Sequence, residues 1–462
     1  MKEYCGLIGI WGDACAAARV YMGLYSLQHR GQESAGIVAS DGRTLHSRKG
    51  PGLVTDVFKQ GDFGALAGNS AIGHVRYSTT GSGRIQNIQP LVVEQIDGLL
   101  AVAHNGNLVN ARTLRRDYEE RGAIFQTSTG SEIIVHLLAN PEHRRLENSL
   151  PHCLGHLKGA FCFLFLTKDR LMAARDPYGF RPLCIGRYGD TTVIASETCA
   201  LDIVNADYVR DVQPGELVVV DENGLCSETF GENATGRLSQ CIFEHVYFAR
   251  PDSNVFGENV HGVRVALGRK LAEERPADAD VVIAVPDSGR SAAMGYSQVS
   301  GIPFDRGFIR NHYVGRTFIM PATDARQSGV EIKLNLVKDV VRGKRVVVVD
   351  DSIIRGTTSK GRLHQLRRAG AKEVHFRISC PPTRCPCYYG IDFPTDRELI
   401  AASKSVDEIA EFLEVDSLGY LSLDGLLSSV SDPQSYCTAC FSGEYPVPPH
   451  EEMDKHALER RL

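Results

Sequence analysis

Val346-Val347-Val348-Val349-Asp350-Asp351-Ser352-Ile353-Ile354-Arg355-Gly356-Thr357-Thr358-Ser359 is the stretch on which the fold turns. Four consecutive β-branched residues predict a strand buried on both faces, as in a parallel sheet. Two carboxylates follow at its carboxyl end, where open α/β sheets hold their ligands. Gly356-Thr357-Thr358-Ser359 then opens a helix near Ser359–Ala369, closed by Gly370. Backbone N–H groups and hydroxyls at such a helix start converge on a phosphate. A phosphate cradle beside two acids suits a sugar phosphate with vicinal hydroxyls and a Mg²⁺-bound diphosphate. The plainer reading is a solvated strand end ahead of a capped helix.

The pattern repeats on both sides. Apolar strands at Val281–Val285 and Val374–Ile378, with a helical face at Val260, Val263, Leu267 and Leu271, predict a parallel sheet covered on both faces. Upstream of Asp221–Leu238, a stretch rich in Gly, Asn, Glu, Ser and Thr, the chain reads differently. Short strands at Leu7–Ile10, Ile37–Ala39, Leu99–Ala103, Phe161–Leu166, Thr192–Ala195 and Glu216–Val220 alternate with few helices (Ala16–Leu27, Ser131–Leu138), which predicts layered α+β. A length of 462 residues leaves room for both units. The net charge of −5 and the lack of a basic run argue against nucleic-acid binding. With no apolar run of bilayer length and no signal-like start, the expectation is a cytoplasmic protein that meets no membrane.

Cys5-Gly6-Leu7-Ile8-Gly9-Ile10 puts a cysteine at the head of an apolar strand. Removal of residues 1–4 as a propeptide would give Cys5 an α-amine whose reference pKa, about 7.7–8.0, lets it act as base for its own thiol. Downstream, Arg76 in Gly73-His74-Val75-Arg76-Tyr77-Ser78-Thr79 offers a fork for a substrate carboxylate. Asn105 and Gly106 in His104-Asn105-Gly106-Asn107-Leu108 offer two N–H donors to a tetrahedral oxyanion. Read singly, Asn-Gly is a hairpin turn and a buried arginine a structural partner.

These segments together resemble the N-terminal-nucleophile glutamine amidotransferases, which share a four-layer αββα fold. Gln28-His29-Arg30-Gly31-Gln32-Glu33-Ser34-Ala35-Gly36 and Arg175-Asp176-Pro177-Tyr178-Gly179-Phe180-Arg181-Pro182-Leu183 match further stretches of that family. The chain departs from it at Thr129-Gly130-Ser131-Glu132, where the family reads Ser-Asp-Ser/Thr-Glu: Gly130 lacks the carboxylate that holds the glutamine α-ammonium. The second half resembles the type I phosphoribosyltransferases. There Val285-Pro286-Asp287-Ser288-Gly289-Arg290 matches the diphosphate loop, and the segment from Arg310 through Arg316 to Lys333-Leu334-Asn335 matches the mobile loop.

A glutaminase unit at residues 5–237 followed by a transferase unit at 238–462 resembles the amidophosphoribosyltransferase family. The resemblance implies glutamine hydrolysis at Cys5, with Arg76 binding glutamine and Asn105 and Gly106 forming the oxyanion hole. Ammonia would then pass to 5-phosphoribosyl diphosphate, held by Arg316, Lys333, Asp350, Asp351, Thr357, Thr358 and Ser359, with Mg²⁺ at Ser288, Asp350 and Asp351. It also implies inhibition by purine nucleotides and a homotetramer or homodimer.

Thirteen cysteines with no export signal argue against a disulfide framework. Eight of them (Cys15, Cys153, Cys162, Cys184, Cys199, Cys226, Cys380 and Cys385) read as small buried hydrophobes. The Cys437-x-x-Cys440 spacing suits zinc or an iron–sulfur cluster, with zinc the first reading on spacing alone and isolated buried thiols the plain one. The resemblance reverses that order. One branch of the family carries both a propeptide and a [4Fe–4S] cluster at the positions of Cys241, Cys387, Cys437 and Cys440. Two other readings stand beside this one. A diphosphate-sensing regulator would need a helix-turn-helix and a basic face. Glucosamine-6-phosphate synthase would need sugar-isomerase domains in place of Asp350–Ser359.

Overall fold

A computed structural model describes residues 4–77, 85–231, 236–310, 334–391, 393 and 398–449. The first half is built on two antiparallel sheets. One has seven strands, in the order Asp207–Asp211, Cys184–Tyr188, Thr191–Ala195, Tyr4–Trp11, Ser70–Tyr77, Ser34–Ser40, Leu45–Pro51. The other has six: Gly224–Thr229, Glu216–Asp221, Leu171–Arg175, Gly159–Leu166, Gly98–Leu108, Leu91–Gln95. Leu7, Val38, Ile72, Ala103, Leu164 and Ile194 fill the space between the sheets. The outer face of the first sheet is covered by helix Ala16–Ser26, through Val20 and Leu24. The outer face of the second is covered by helices Ala111–Glu120, Ile133–Ala139 and Ser149–Gly155. The result is the four-layer αββα arrangement.

The central strands, Ser34–Ser40 and Gly159–Leu166, are buried at every position, because each lies between a neighbouring sheet and a helical layer. The Asp221–Leu238 stretch begins as part of the six-stranded sheet, since Gly224–Thr229 forms its exposed edge.

The second half holds a five-stranded parallel sheet, in the order Phe304–Asp305, Val281–Ala284, Arg345–Asp350, Glu373–Ile378, Ser417–Tyr420. Val346–Val349 are buried at the centre, paired with Val281–Ala284 on one side and Val374–Arg377 on the other. The phosphate-loop helix spans Thr357–Arg368, two residues earlier than the sequence suggests. Two short strands, Phe308–Arg310 and Leu334–Leu336, pair with Arg310 opposite Leu334. Arg316 and Lys333 lie outside the described residues.

Three of the eight cysteines read as buried are not. Cys226 sits on the edge strand Gly224–Thr229, exposed at all six positions, and Cys15 lies in the exposed turn before helix Ala16–Ser26; Cys385 is only half-buried.

Candidate active sites

Cys5 stands directly opposite Arg76 across an antiparallel pair. Partners of that kind share a face, with Cβ atoms about 4.5–5.5 Å apart. Both are buried, at 7% and 4% exposure. Gly31 lies against the Arg76 backbone so closely that a Cβ would come 2.5 Å from the Arg76 nitrogen. That contact is why Gln28-His29-Arg30 is followed by glycine.

The Arg76 strand is tied to the second sheet by His74, whose Nε2–H donates to the His104 carbonyl at 3.1 Å. Burial, followed by the Arg76 charge, lowers His74 to about 3, and burial also lowers His104 to about 3, so both rings are neutral. Asn105 and Gly106 come next on the His104 strand. The Asn105 Nδ2 is buried and has no partner among the described residues. Burying an unpaired amide N–H costs about 1–3 kcal/mol, and such a donor is poised for an incoming acceptor. Gly106 has φ +137°, and a Cβ there would lie 2.1 Å from the Ala160 carbonyl oxygen, so only glycine fits.

Ser131 Oγ meets Gln89 Nε2 at 3.1 Å and His104 Nδ1 at 2.9 Å. The Glu132 carboxylate accepts from the Gln126 and Thr127 backbone N–H groups at 2.8 Å each and from Thr127 Oγ1 at 2.7 Å. Glu132 is thus committed to its own turn and does not replace the acid missing at Gly130.

In the second half, Asp350 and Asp351 end the central strand, both under 10% exposed, at 4% and 6%. The Asp351 N–H donates to Asp350 Oδ1 at 3.0 Å, and Ser352 Oγ donates to Asp351 Oδ2 at 2.5 Å. Burial, then the Asp351 charge, push the Asp350 carboxyl well above its ordinary range, although Arg362 approaches it at 3.5 Å. Helix Thr357–Arg368 starts at Gly356, φ +77°, and no side chain caps its first N–H groups. Ser359 is buried, while Thr357 and Thr358 face outward.

The Ser288 loop closes on the same strand end, since a Cβ on Gly289 would lie 2.5 Å from the Val349 carbonyl oxygen and 3.2 Å from Asp350 Cα. The structure therefore gathers Ser288, the acidic pair and the helix start at the carboxyl end of the central strands. Hard oxygen donors with one nearby cation fit Mg²⁺.

Cys241, Cys387, Cys437 and Cys440 line one cavity, walled by Phe180, Phe243 and Tyr389. Two-residue strands set Cys241 beside Cys437, and the Tyr389 N–H points at Cys387 Sγ, 3.4 Å away. Cys380 and Cys385 do not line this cavity. Burial pushes the Cys241 thiol up to about 12 and raises Cys437 and Cys440 as well, so thiolates here need a bound cation. Four thiols around one apolar cavity fit zinc or an iron–sulfur cluster.

Residues the sequence reading left without a role join the two halves. Arg30, 1% exposed, pairs with Glu197 and also with Glu244 at 2.6 Å. Arg181 reaches the other Glu244 oxygen at 3.0 Å and donates to the Tyr389 carbonyl at 3.0 Å. Asn107 Nδ2 donates to the Tyr388 carbonyl at 2.9 Å, and a Cβ on Gly390 would lie 3.3 Å from Gly106 Cα. The cysteine cage thus backs onto the strand that carries Asn105 and Gly106. The only sequence signal for this seam was the quoted Arg30 and Arg181 motifs.

Among the described residues, no helix is long and apolar enough to cross a membrane. A glutamine amidotransferase domain model matches residues 74–202, the span that holds His74, Arg76, Asn105 and Gly106. The chain is 50% identical over 453 residues to the amidophosphoribosyltransferase of Bacillus subtilis, covering 97% of this chain and 95% of the relative. It is 47% identical over 460 residues to that of Methanocaldococcus jannaschii, covering 96% and 98%. The B. subtilis glutamine phosphoribosylpyrophosphate amidotransferase, solved with ADP and GMP, superposes with a TM-score of 0.92 at 50% identity, covering 97% of this chain and 99% of that one. With both half-sites in place and likeness running the length of the chain, this protein belongs to the amidophosphoribosyltransferases, the glutamine-dependent enzymes of purine biosynthesis.

Proposed function

We propose that the chain converts glutamine, 5-phosphoribosyl diphosphate and water into 5-phosphoribosylamine, glutamate and diphosphate, with residues 5–237 releasing ammonia and residues 238–462 capturing it. In the first unit, trimmed of residues 1–4, the α-amine of Cys5 takes the thiol proton and the thiolate attacks the glutamine Cδ. Arg76 holds the substrate carboxylate. The tetrahedral oxyanion is stabilised by the Asn105 side-chain N–H and the Gly106 backbone N–H. The α-ammonium returns its proton as ammonia leaves, and water then resolves the γ-glutamyl thioester to glutamate.

In the second unit, Thr357, Thr358, Ser359 and the helix start hold the 5-phosphate, while Asp350 and Asp351 orient the ribose. Arg316 and Lys333, outside the described residues, bind the diphosphate. Ammonia attacks C1 and diphosphate departs. Ser288, Asp350 and Asp351 would hold Mg²⁺, which when bound would supply charge neutralisation on the diphosphate. A [4Fe–4S] cluster at Cys241, Cys387, Cys437 and Cys440 would fix the C-terminal segment against the body; the convergence of these four cysteines on one apolar cavity supports it. Iron and sulfide analysis at about four of each per chain tests it. Purine nucleotides act as inhibitors of a homo-oligomer, a reading supported by the ADP and GMP bound in the B. subtilis relative.

The observation that carries the proposal is the orphaned Asn105 amide on the strand tied to the Cys5–Arg76 pair, in a chain that also holds the Asp350–Ser359 cradle. Cys5→Ala should cut glutamine-dependent synthesis by roughly 10⁴-fold or more while ammonia-dependent synthesis continues. Equal loss of both would end the two-site division.

A further inference from the structure

His143, His152 and His156 lie on the outer helical layer of the glutaminase half, away from both sites. One ring nitrogen of each lies within 4.8 Å of the others, and all three rings are at least partly exposed. His152 is four residues before His156 at the end of helix Ser149–Gly155, so the two share a face. Their Nε2 atoms are 3.2 Å apart. Two imidazole nitrogens bound tetrahedrally to one ion at about 2.0–2.1 Å would stand about 3.3 Å apart, close to that spacing.

His143 comes from a different element, the turn of helix Pro141–Arg144. Its Nδ1–H donates to the Leu137 carbonyl at 3.1 Å, which leaves Nε2 with the lone pair. Metal-bound histidines are oriented in this way, with the far ring nitrogen donating to a carbonyl. The buried Cys153 sulfur lies 3.8 Å from that same Nδ1, which makes it a packing neighbour and not a fourth ligand. Asn110 fixes the end of the helix, donating to the His156 carbonyl at 2.9 Å and accepting from the Lys158 N–H at 3.0 Å. The His143 and His156 rings stack at 5.1 Å.

We propose that His143, His152 and His156 form a three-histidine site for a borderline divalent cation of the zinc, cobalt or nickel class, with water in the fourth position. The ion would join helix Pro141–Arg144 to helix Ser149–Gly155 and hold together the layer that covers the six-stranded sheet. The site uses neither the cluster cysteines nor the catalytic residues.

The test is equilibrium dialysis of the intact, anaerobically purified protein against zinc, with zinc and iron both measured. Wild type should retain about one zinc per chain more than His152→Gln or His143→Gln, each variant losing at least tenfold in affinity with iron unchanged. Zinc should also raise the thermal unfolding midpoint of wild type but of neither variant. Equal zinc retention by wild type and His152→Gln would overturn the site. Full retention by His143→Gln would overturn the three-ligand assignment.

Discussion

The two chemical centres are built in opposite ways. In the first half, Cys5, Arg76 and Asn105 all lie on strands of antiparallel sheets, all buried, and the site is held by neighbours such as His74 and Gly31. In the second half, only Asp350 is on a strand, at its last position; the buried Asp351 and Ser359 and the outward-facing Thr357 and Thr358 sit beyond it, on a loop and at a helix start. The difference follows the chemistry. A tetrahedral oxyanion develops over a few ångströms, so its donors gain from being fixed beforehand in a dry site. A sugar bearing several phosphate charges arrives solvated, and exposed backbone N–H groups at strand ends receive it without first burying unpaired charge.

The contrast can be broken most forcefully at the seam. Glu244→Ala leaves Arg30 and Arg181 facing each other without their shared carboxylate, and should cost about 3–5 kcal/mol of stability in denaturant unfolding, lowering both activities together. Survival of either activity at full strength in a destabilised protein would show the halves to be more independent than the packing implies. Asn105→Ala should reduce glutamine-dependent turnover by about 10²–10³-fold with the ammonia-dependent rate unchanged, read by steady-state kinetics with each nitrogen source.

Asp351→Asn should lower synthesis with either source by about 10–100-fold, the worth of one charged hydrogen-bonding group. An effect confined to glutamine would move Asp351 out of the transferase site. The smallest change sharpens the comparison. Asn107→Ala removes one neutral hydrogen bond, worth about 1 kcal/mol, between the Asn105–Gly106 strand and the cysteine-bearing segment. It should lower glutaminase a few-fold and leave ammonia use intact.

Much of the molecule was legible in the sequence where burial dictated composition. Val346–Val349 could only be a strand covered on both faces, and the acids and Gly356 after it marked a sheet end with a phosphate-binding turn. Cys5 and the Asn105-Gly106 pair were found by residue chemistry. Strands such as Leu45–Pro51 were missed because they face solvent, so Leu-His-Ser-Arg-Lys-Gly-Pro carries no apolar alternation; pairing with Ser34–Ser40 makes it a strand. The start of the phosphate-loop helix was placed late because Gly356, a left-handed residue without a side-chain cap, gives no N-cap signal. The seam was not readable at all. Arg30 and Glu244 are 214 residues apart, and nothing local to either predicts that they meet in a dry interior.

That shared carboxylate also limits how the protein can be rearranged. Grafting the first half onto another module would carry over Arg30 with Glu197 as its one remaining carboxylate and an enclosed Arg181 whose acid partner stayed behind. Any working chimera must therefore import Glu244, or an acid in its place, along with the segment that presents it.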